Sequence, residues 1–407
     1  MTVKLRAVTR PLDGPAPYEA SDADTRMRTS RRELWGWGRA ATLDLAGPWI
    51  EHLGEVDALL AGCDTTDAVS QPGTGPVAFA ALPSDRAAAA VVVIPAVVIG
   101  MTPEGHRWIT RIESDPTEEN DSRTIPKPRS DHRSGSVRLV SDPPAAEWCA
   151  SVSAARDRIA AGEVTKVVLA RRLQAVFDTE VDARGIADRL EAAHPTAMRF
   201  LVDGFCGASP ELLVSRTGDM VRAQPMAGTT ARSGDPLVDA KRAAELLASD
   251  KNRAEHQITI DAVMDALLPW CSYLDSEPEP HVAEAGTVSH LATLVEGRLS
   301  HPIPSVLELV GALHPTPAVG GWPRDAAVGL QRTLEPFDRG RYGGAVGWVD
   351  ALGNGSWAVA VRTVSVTGDT AEMFAGVGVV EDSDPLAELA ETDAKFASTV
   401  PNVVREV

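Results

Sequence analysis

The stretch "RYGGAVGWVDALGNGSWAVAVRTVSVTGDTAEMFAGVGVV", residues 341–380, decides the fold. Branched and aromatic residues fill it, and turn chemistry interrupts it at "ALGNG" and "TGDT". That pattern predicts a series of strands rather than a helix. Asp384 and Pro385 follow, an N-cap and a first-turn proline, and they predict a helix carrying "ELAETDAK" (388–395).

The same clumping continues upstream. Residues 236–270 predict a long amphipathic helical region, broken near Ser249-Asp250, and 146–164 predict a helix ending at a glycine. "KVVLARRLQAVF" (166–177) predicts a strand, and "MRFLVDGFCGASPELLVSRTGDMVRAQP" predicts a hairpin-rich sheet segment. "TVSHLATLVEGRL" is strand-like, and "AAAAVVVIPAVVIG" (87–100) reads as two buried strands, being too short for a bilayer and holding Pro95. Residues 113–144, rich in Pro, Ser and charge, are expected to be a long exposed connection. Strands and helices gathered in blocks favour an α+β fold with antiparallel sheets over a doubly wound parallel one. No dinucleotide fingerprint, phosphate loop, HExxH or GxSxG motif is present.

Composition narrows the function. There are 39 Lys+Arg against 57 Asp+Glu, a formal charge of −18, so nucleic acid and anionic membranes are poor partners. An anionic small molecule would need a local positive pocket against that field. The four cysteines are scattered, and reduced thiols in a cytoplasmic protein are expected. "MTVKLRAVTRPLDGP" lacks the apolar core of a signal peptide.

Four stretches hold more chemistry than structure requires. Lys166 begins the strand "KVVLARR". Glu211 interrupts the apolar run of "GASPELLVSR". "QPMAGTTARSGDP" is followed by "SDKNRAEHQ" with Glu255, and "FAGVGVVEDSDPLAELAETDAK" sets Glu388, Glu391 and Lys395 at helical spacing. Taken singly, each has an ordinary reading as an exposed strand end, a hairpin side chain or a solvated helix face.

Together these stretches resemble the chorismate-utilising enzymes, in particular the isochorismate synthases. The resemblance runs from about Glu147 to Val400. It rests on "KVVLAR", "ASPELLV", "MAGT", "LLASDKNRAEH", "HLATLVEG", "LHPTPAVGG", "LEPFDRGRYGGAVGW", "VAVRT", "FAGVGVV" and "AELAETDAK". It implies two antiparallel sheets packed as a sandwich, helices outside and the active site in a cleft between the sheets. It implies one large domain over 1–407, with 1–140 a variable part adding strands and 141–407 the chorismate-binding core. It also implies chorismate as substrate and Mg²⁺ as cofactor, held by Glu255 and Glu391, with Glu388 and Asn252 acting through metal-bound water. Asn252 stands where relatives often carry an acid, so weaker Mg²⁺ binding is expected.

By the same resemblance Lys166 is the base that activates water and Glu211 the acid for the leaving hydroxyl. Burial lowers a lysine and raises a carboxylic acid, so this scheme requires both groups to be desolvated. Arg362 would clamp the enolpyruvyl carboxylate with its planar fork. Lys395 and the backbone at Gly228, Thr229 and Gly378 would bind the substrate further. His290 stands either near the ring or as a core histidine. Ala318 favours an enzyme that stops at isochorismate over a salicylate synthase, which goes on to eliminate pyruvate; a catalytically silent chorismate binder is a third reading. A cytoplasmic monomer is expected, with no nucleic-acid or membrane partner.

Overall fold

The computed structural model describes residues 4–114 and 136–404. The opening stretch folds as predicted. Ala345–Asp350 and Gly355–Val359 form one hairpin, Thr363–Thr367 and Thr370–Val379 a second, and Pro385–Val404 the helix. Asp350 ties the first turn, its Oδ1 accepting from Leu352 and Asn354 N–H. Gly347 is required opposite Trp357, because a Cβ there would lie 2.7 Å from the indole. Asp384 caps the helix by accepting from Leu386 and Ala387 N–H.

The two hairpins belong to different sheets. The first lies in a nine-stranded sheet and the second in a thirteen-stranded one. Val77–Leu82 pairs with Ala345–Asp350 in the former, and Thr25–Arg28 pairs with Met198–Val202 in the latter. The first hundred residues therefore extend both large sheets. "AAAAVVVIPAVVIG" also divides, Ala90–Ile94 joining the smaller of these sheets and Val97–Met101 the larger.

Three expectations are corrected. A third, three-stranded sheet is present, formed by Met226–Ala231, Val288–Ala292 and His281–Ala285. The thirteen-stranded sheet is mixed, since Leu5–Pro11 pairs parallel with Asp64–Asp67. Within the stretch expected to be a connection, Val137–Asp142 is a strand paired to Lys166–Phe177; residues 115–135 of it lie outside the described residues.

One buried cluster draws on both large sheets, with Phe79, Val346 and Trp348 from one and Met27, Trp108 and Phe200 from the other. On its other face the nine-stranded sheet packs Leu213, Val214 and Trp357 with the helices Leu53–Ala61 and Val306–Leu313. The thirteen-stranded sheet packs its own outer face against Ala145–Ala160, Ala183–Ala193 and the C-terminal helix. No helix among the described residues is long and apolar enough to cross a membrane.

A buried polar network fixes where Lys166–Phe177 starts. Arg339 donates to Glu335, to Val319 O (2.8 Å) and to Val168 O (2.7 Å). Gln331 Nε2 donates to Val168 O and Gly320 O, and Glu335 accepts from Ala170 N–H at 2.7 Å. Both members of the Arg339–Glu335 pair have side chains only 6% exposed, so removing one leaves an uncompensated buried charge. Glu335→Ala is expected to cost about 3–5 kcal/mol, read as a lowered denaturant midpoint with an unchanged slope.

Candidate active site

Two of the places where the chain crosses between the large sheets lie side by side, and each of these two carries a charged residue. Pro210-Glu211 leads from Phe205–Ser209 to Leu212–Thr217, and residues 360–362 lead back from Gly355–Val359 to Thr363–Thr367. The crossings are bonded together: Val359 N–H donates to Glu211 O (3.1 Å), Ala208 N–H to Arg362 O (3.2 Å) and Ser209 Oγ to Val359 O (2.7 Å). Arg362 sits at φ +56°, a strained conformation for a non-glycine residue that surrounding bonds must hold.

Lys166 begins its strand beside Thr370–Val379, with Val168 opposite Gly378 and Ala170 opposite Gly376. Val168 N–H is taken by Gly320 O and Ala170 N–H by Glu335. Because peptide groups alternate along a strand, Gly376 and Gly378 turn theirs to the other edge. Gly376 O there accepts from Lys395 Nζ at 2.7 Å. Lys166 Nζ lies 2.7 Å from Glu255 Oε1, in space that exists because residue 378 has no side chain.

One cavity of about 290 Å³ gathers every residue singled out in the sequence. Lys166 and Gly378 come from the paired strands, Glu211 and Arg362 from the crossings, and Gly228, Thr229 and His290 from the small sheet. Asn252 and Glu255 come from the helix Asp250–Leu267, Ala318 from the loop before Gly321, and Glu388, Glu391 and Lys395 from the C-terminal helix. Ser249 is the cap that breaks the long helical region as predicted, accepting from Asn252 N–H at 3.3 Å.

The carboxylates differ in state. Burial pushes Glu211 up to about 8, against smaller opposing effects from the Met226 amide and Lys166. Burial and then the charge of Glu391 push Glu388 up to about 7, with Glu255 adding to the repulsion. Burial also acts on Glu391, but Lys395 at 2.7 Å and the Thr229 hydroxyl outweigh it and hold Glu391 below the usual range.

His290 takes a definite tautomer. Arg362 Nη2, which can only donate, lies 3.3 Å from Nε2, so the ring proton sits on Nδ1, 3.1 Å from Gly228 O. Burial and then Arg362 lower its pKa to about 3, so the ring is neutral at physiological pH. Burial lowers Arg362 to about 10, leaving it charged. Arg362 also donates to Ala285 O and Ser398 Oγ. His290 thus lines the cavity and props the guanidinium.

Lys251 and Tyr342 line the cavity too and were not singled out in the sequence, though both lie inside quoted motifs. A Cβ on Gly376 would stand 2.8 Å from the Tyr342 hydroxyl. Among the described residues no group of three or more His, Cys, Asp or Glu stands close enough to hold a metal ion. Glu255, Glu388 and Glu391 nonetheless line the same cavity, Glu388 raised by burial and then by Glu391, and carboxylate oxygens are the kind of donor a hard cation such as Mg²⁺ takes.

A buried acid held protonated, a buried lysine and a buried arginine in one cavity define an enzyme for a small anionic substrate. The family model described as "Chorismate binding enzyme" matches residues 25–403, and the chain belongs to that family. A MenF protein of Mycobacterium tuberculosis is 40% identical over 354 residues, covering 83% of this chain and 89% of that protein. The isochorismate synthase DhbC of Bacillus subtilis is 36% identical over 339 residues, 79% of each. The solved structure of MenF, the menaquinone-specific isochorismate synthase from Escherichia coli, matches with a TM-score of 0.83. It covers 99% of this chain and 95% of that one at 22% identity, a likeness of fold.

Gly378→Ala tests the site's close packing. The added Cβ would lie 2.7 Å from both Glu255 Oε1 and Lys166 Cε. These are ends of flexible side chains, so the site should yield before the fold does. The expected outcome is a loss of more than about tenfold in kcat/KM, roughly the cost of misplacing reacting groups, with Tm nearly unchanged.

Proposed function

We propose that this protein is an isochorismate synthase converting chorismate to isochorismate. The observation that carries this reading is the buried Lys166–Glu211 couple in one cavity, with Glu211 pushed up to about 8. Water oxygen bonds to C2 while Lys166 takes a water proton. The ring double bonds shift, and the C4 hydroxyl leaves as water with the proton of Glu211. One water enters and one departs, so the reaction is an isomerisation. Lys166 must part from Glu255 and release its ammonium proton to solvent before its nitrogen has the lone pair that takes a water proton.

Arg362, aimed by His290 and Ser398, suits the enolpyruvyl carboxylate. Lys395 and the edge amides at Gly378, Gly228 and Thr229 suit the remaining oxygens. Glu255 and Glu391 would hold Mg²⁺, with Glu388 and Asn252 acting through its water, and the ion would offset the substrate's negative charge. Asn252 also donates to Ser249 Oγ at 2.9 Å, which leaves its carbonyl oxygen for that task. Ala318 contributes no hydroxyl at its place in the lining, in keeping with a product that keeps its enolpyruvyl group.

The sheets read as a sandwich with the cavity in the cleft between them, supported by the cluster shared by both sheets and the paired crossings. We further infer one domain, 1–140 extending the 141–407 core, and a monomer in the cytoplasm. Relatives named for menaquinone and for vibriobactin place their product in quinone or siderophore assembly, and this chain's product serves one of these.

Purified protein given chorismate and Mg²⁺ should yield isochorismate without pyruvate by chromatography; salicylate with pyruvate, or unchanged chorismate, would overturn the reading. Lys166→Ala and Glu211→Gln should each lose at least about a hundredfold in kcat, the usual contribution of acid or base catalysis. Glu211 carries its proton below about 8 and loses it above. Wild-type kcat should therefore fall as pH rises through that value, and the limb should be missing from the residual rate of Glu211→Gln.

A further inference from the structure

Four side-chain cations and four carboxylates line the cavity. Two of each are already matched, Lys166 with Glu255 and Lys395 with Glu391, both at 2.7 Å. The remaining acids, Glu211 and Glu388, are both buried and form no ion pair among the described residues. The remaining cations are Arg362 and Lys251, and neither forms an ion pair among the described residues. Two spare positive charges match a substrate with two carboxylates.

They differ in place. Arg362 is buried on a sheet crossing, held by three neighbours. Lys251 is exposed, on the first turn of the helix that carries Glu255, and lines the cavity from its solvent side. The Ser249 cap bonds to Asn252 on both backbone and side chain and holds the turn that carries Lys251. The nearby acid that feels its charge is Glu388. A dianion approaching a chain of net charge −18 meets overall repulsion, and a cation at the entrance converts this into local attraction.

We propose that Lys251 captures the dianionic substrate at the cavity mouth and then serves as countercharge to the carboxylate that Arg362 does not hold. This rests on chorismate as the substrate. Lys251 is a binding residue here, outside the proton transfers, so its loss falls on KM and on association rather than on kcat.

The test measures chorismate association and turnover for wild type, Lys251→Ala and Lys251→Arg from low to high ionic strength. The alanine variant should lose about tenfold in association rate and kcat/KM at low salt, within the range of electrostatic steering. Its dependence on salt should be flatter, its kcat within about twofold of wild type, and arginine should restore most of the loss. An alanine variant with wild-type kcat/KM and salt dependence overturns the proposal. So does a fall confined to kcat, or failure of arginine to restore. Wild type that binds and turns over chorismate beside an unaltered alanine variant overturns this inference alone; wild type that does neither overturns the function as well.

Discussion

The contact between Lys166 Nζ and Glu255 Oε1 joins the two halves of the site. One partner begins a strand of the largest sheet, and the other sits on a helix packed against the smallest. Gly378 leaves the room in which they meet. The contact also sets the chemical problem, because the proposed base and a proposed metal ligand occupy each other. The proposed chemistry requires them to part, and a cation held by Glu255 would satisfy the carboxylate that Lys166 gives up.

The fold serves this arrangement by passing between sheets. Glu211 and Arg362 occupy crossings rather than strands, where side chains escape the in-and-out alternation of a sheet and can point along the space between them. The two crossings are bonded together, Val359 N–H to Glu211 O and Ala208 N–H to Arg362 O, so acid and guanidinium keep a fixed relation. Beneath them the Arg339–Glu335–Gln331 network holds the start of the Lys166 strand and the Val319-Gly320 loop beside Ala318. Lys166 and Ala318 thus sit beside one buried frame. The strain at Arg362 is sustained by its bonds to Ala208, Ala285 and Ser398 and by His290, which is neutral and can accept from it.

Local chemistry made much of this legible in the sequence. The turns at "ALGNG" and "TGDT", the Asp384 cap and the Ser249 break all lie where residue preferences place them. Sheet membership was not legible, because alternation marks a strand without naming its neighbour. "TVSHLATLVEGRL" reads as one strand-like run, yet Val288–Ala292 and Val295–Leu299 join different sheets. Asp64–Asp67 is "DTTD", an exposed edge strand with little β preference, and with it the parallel pair was invisible. The site residues were named through family motifs, and the fold brings all of them to one cavity. The Lys166–Glu255 contact and the part of Lys251 lie beyond motifs, since both depend on which charges finish beside each other.

The central claim is that water supplies the new C2 hydroxyl while the C4 hydroxyl departs. Conversion of chorismate in ¹⁸O-labelled water, followed by mass spectrometry of the isochorismate, tests it directly. One ¹⁸O atom per product molecule, located at C2, is the result the site predicts. Isochorismate with no label would mean the hydroxyl migrated within the substrate, and Lys166 would have no water to activate.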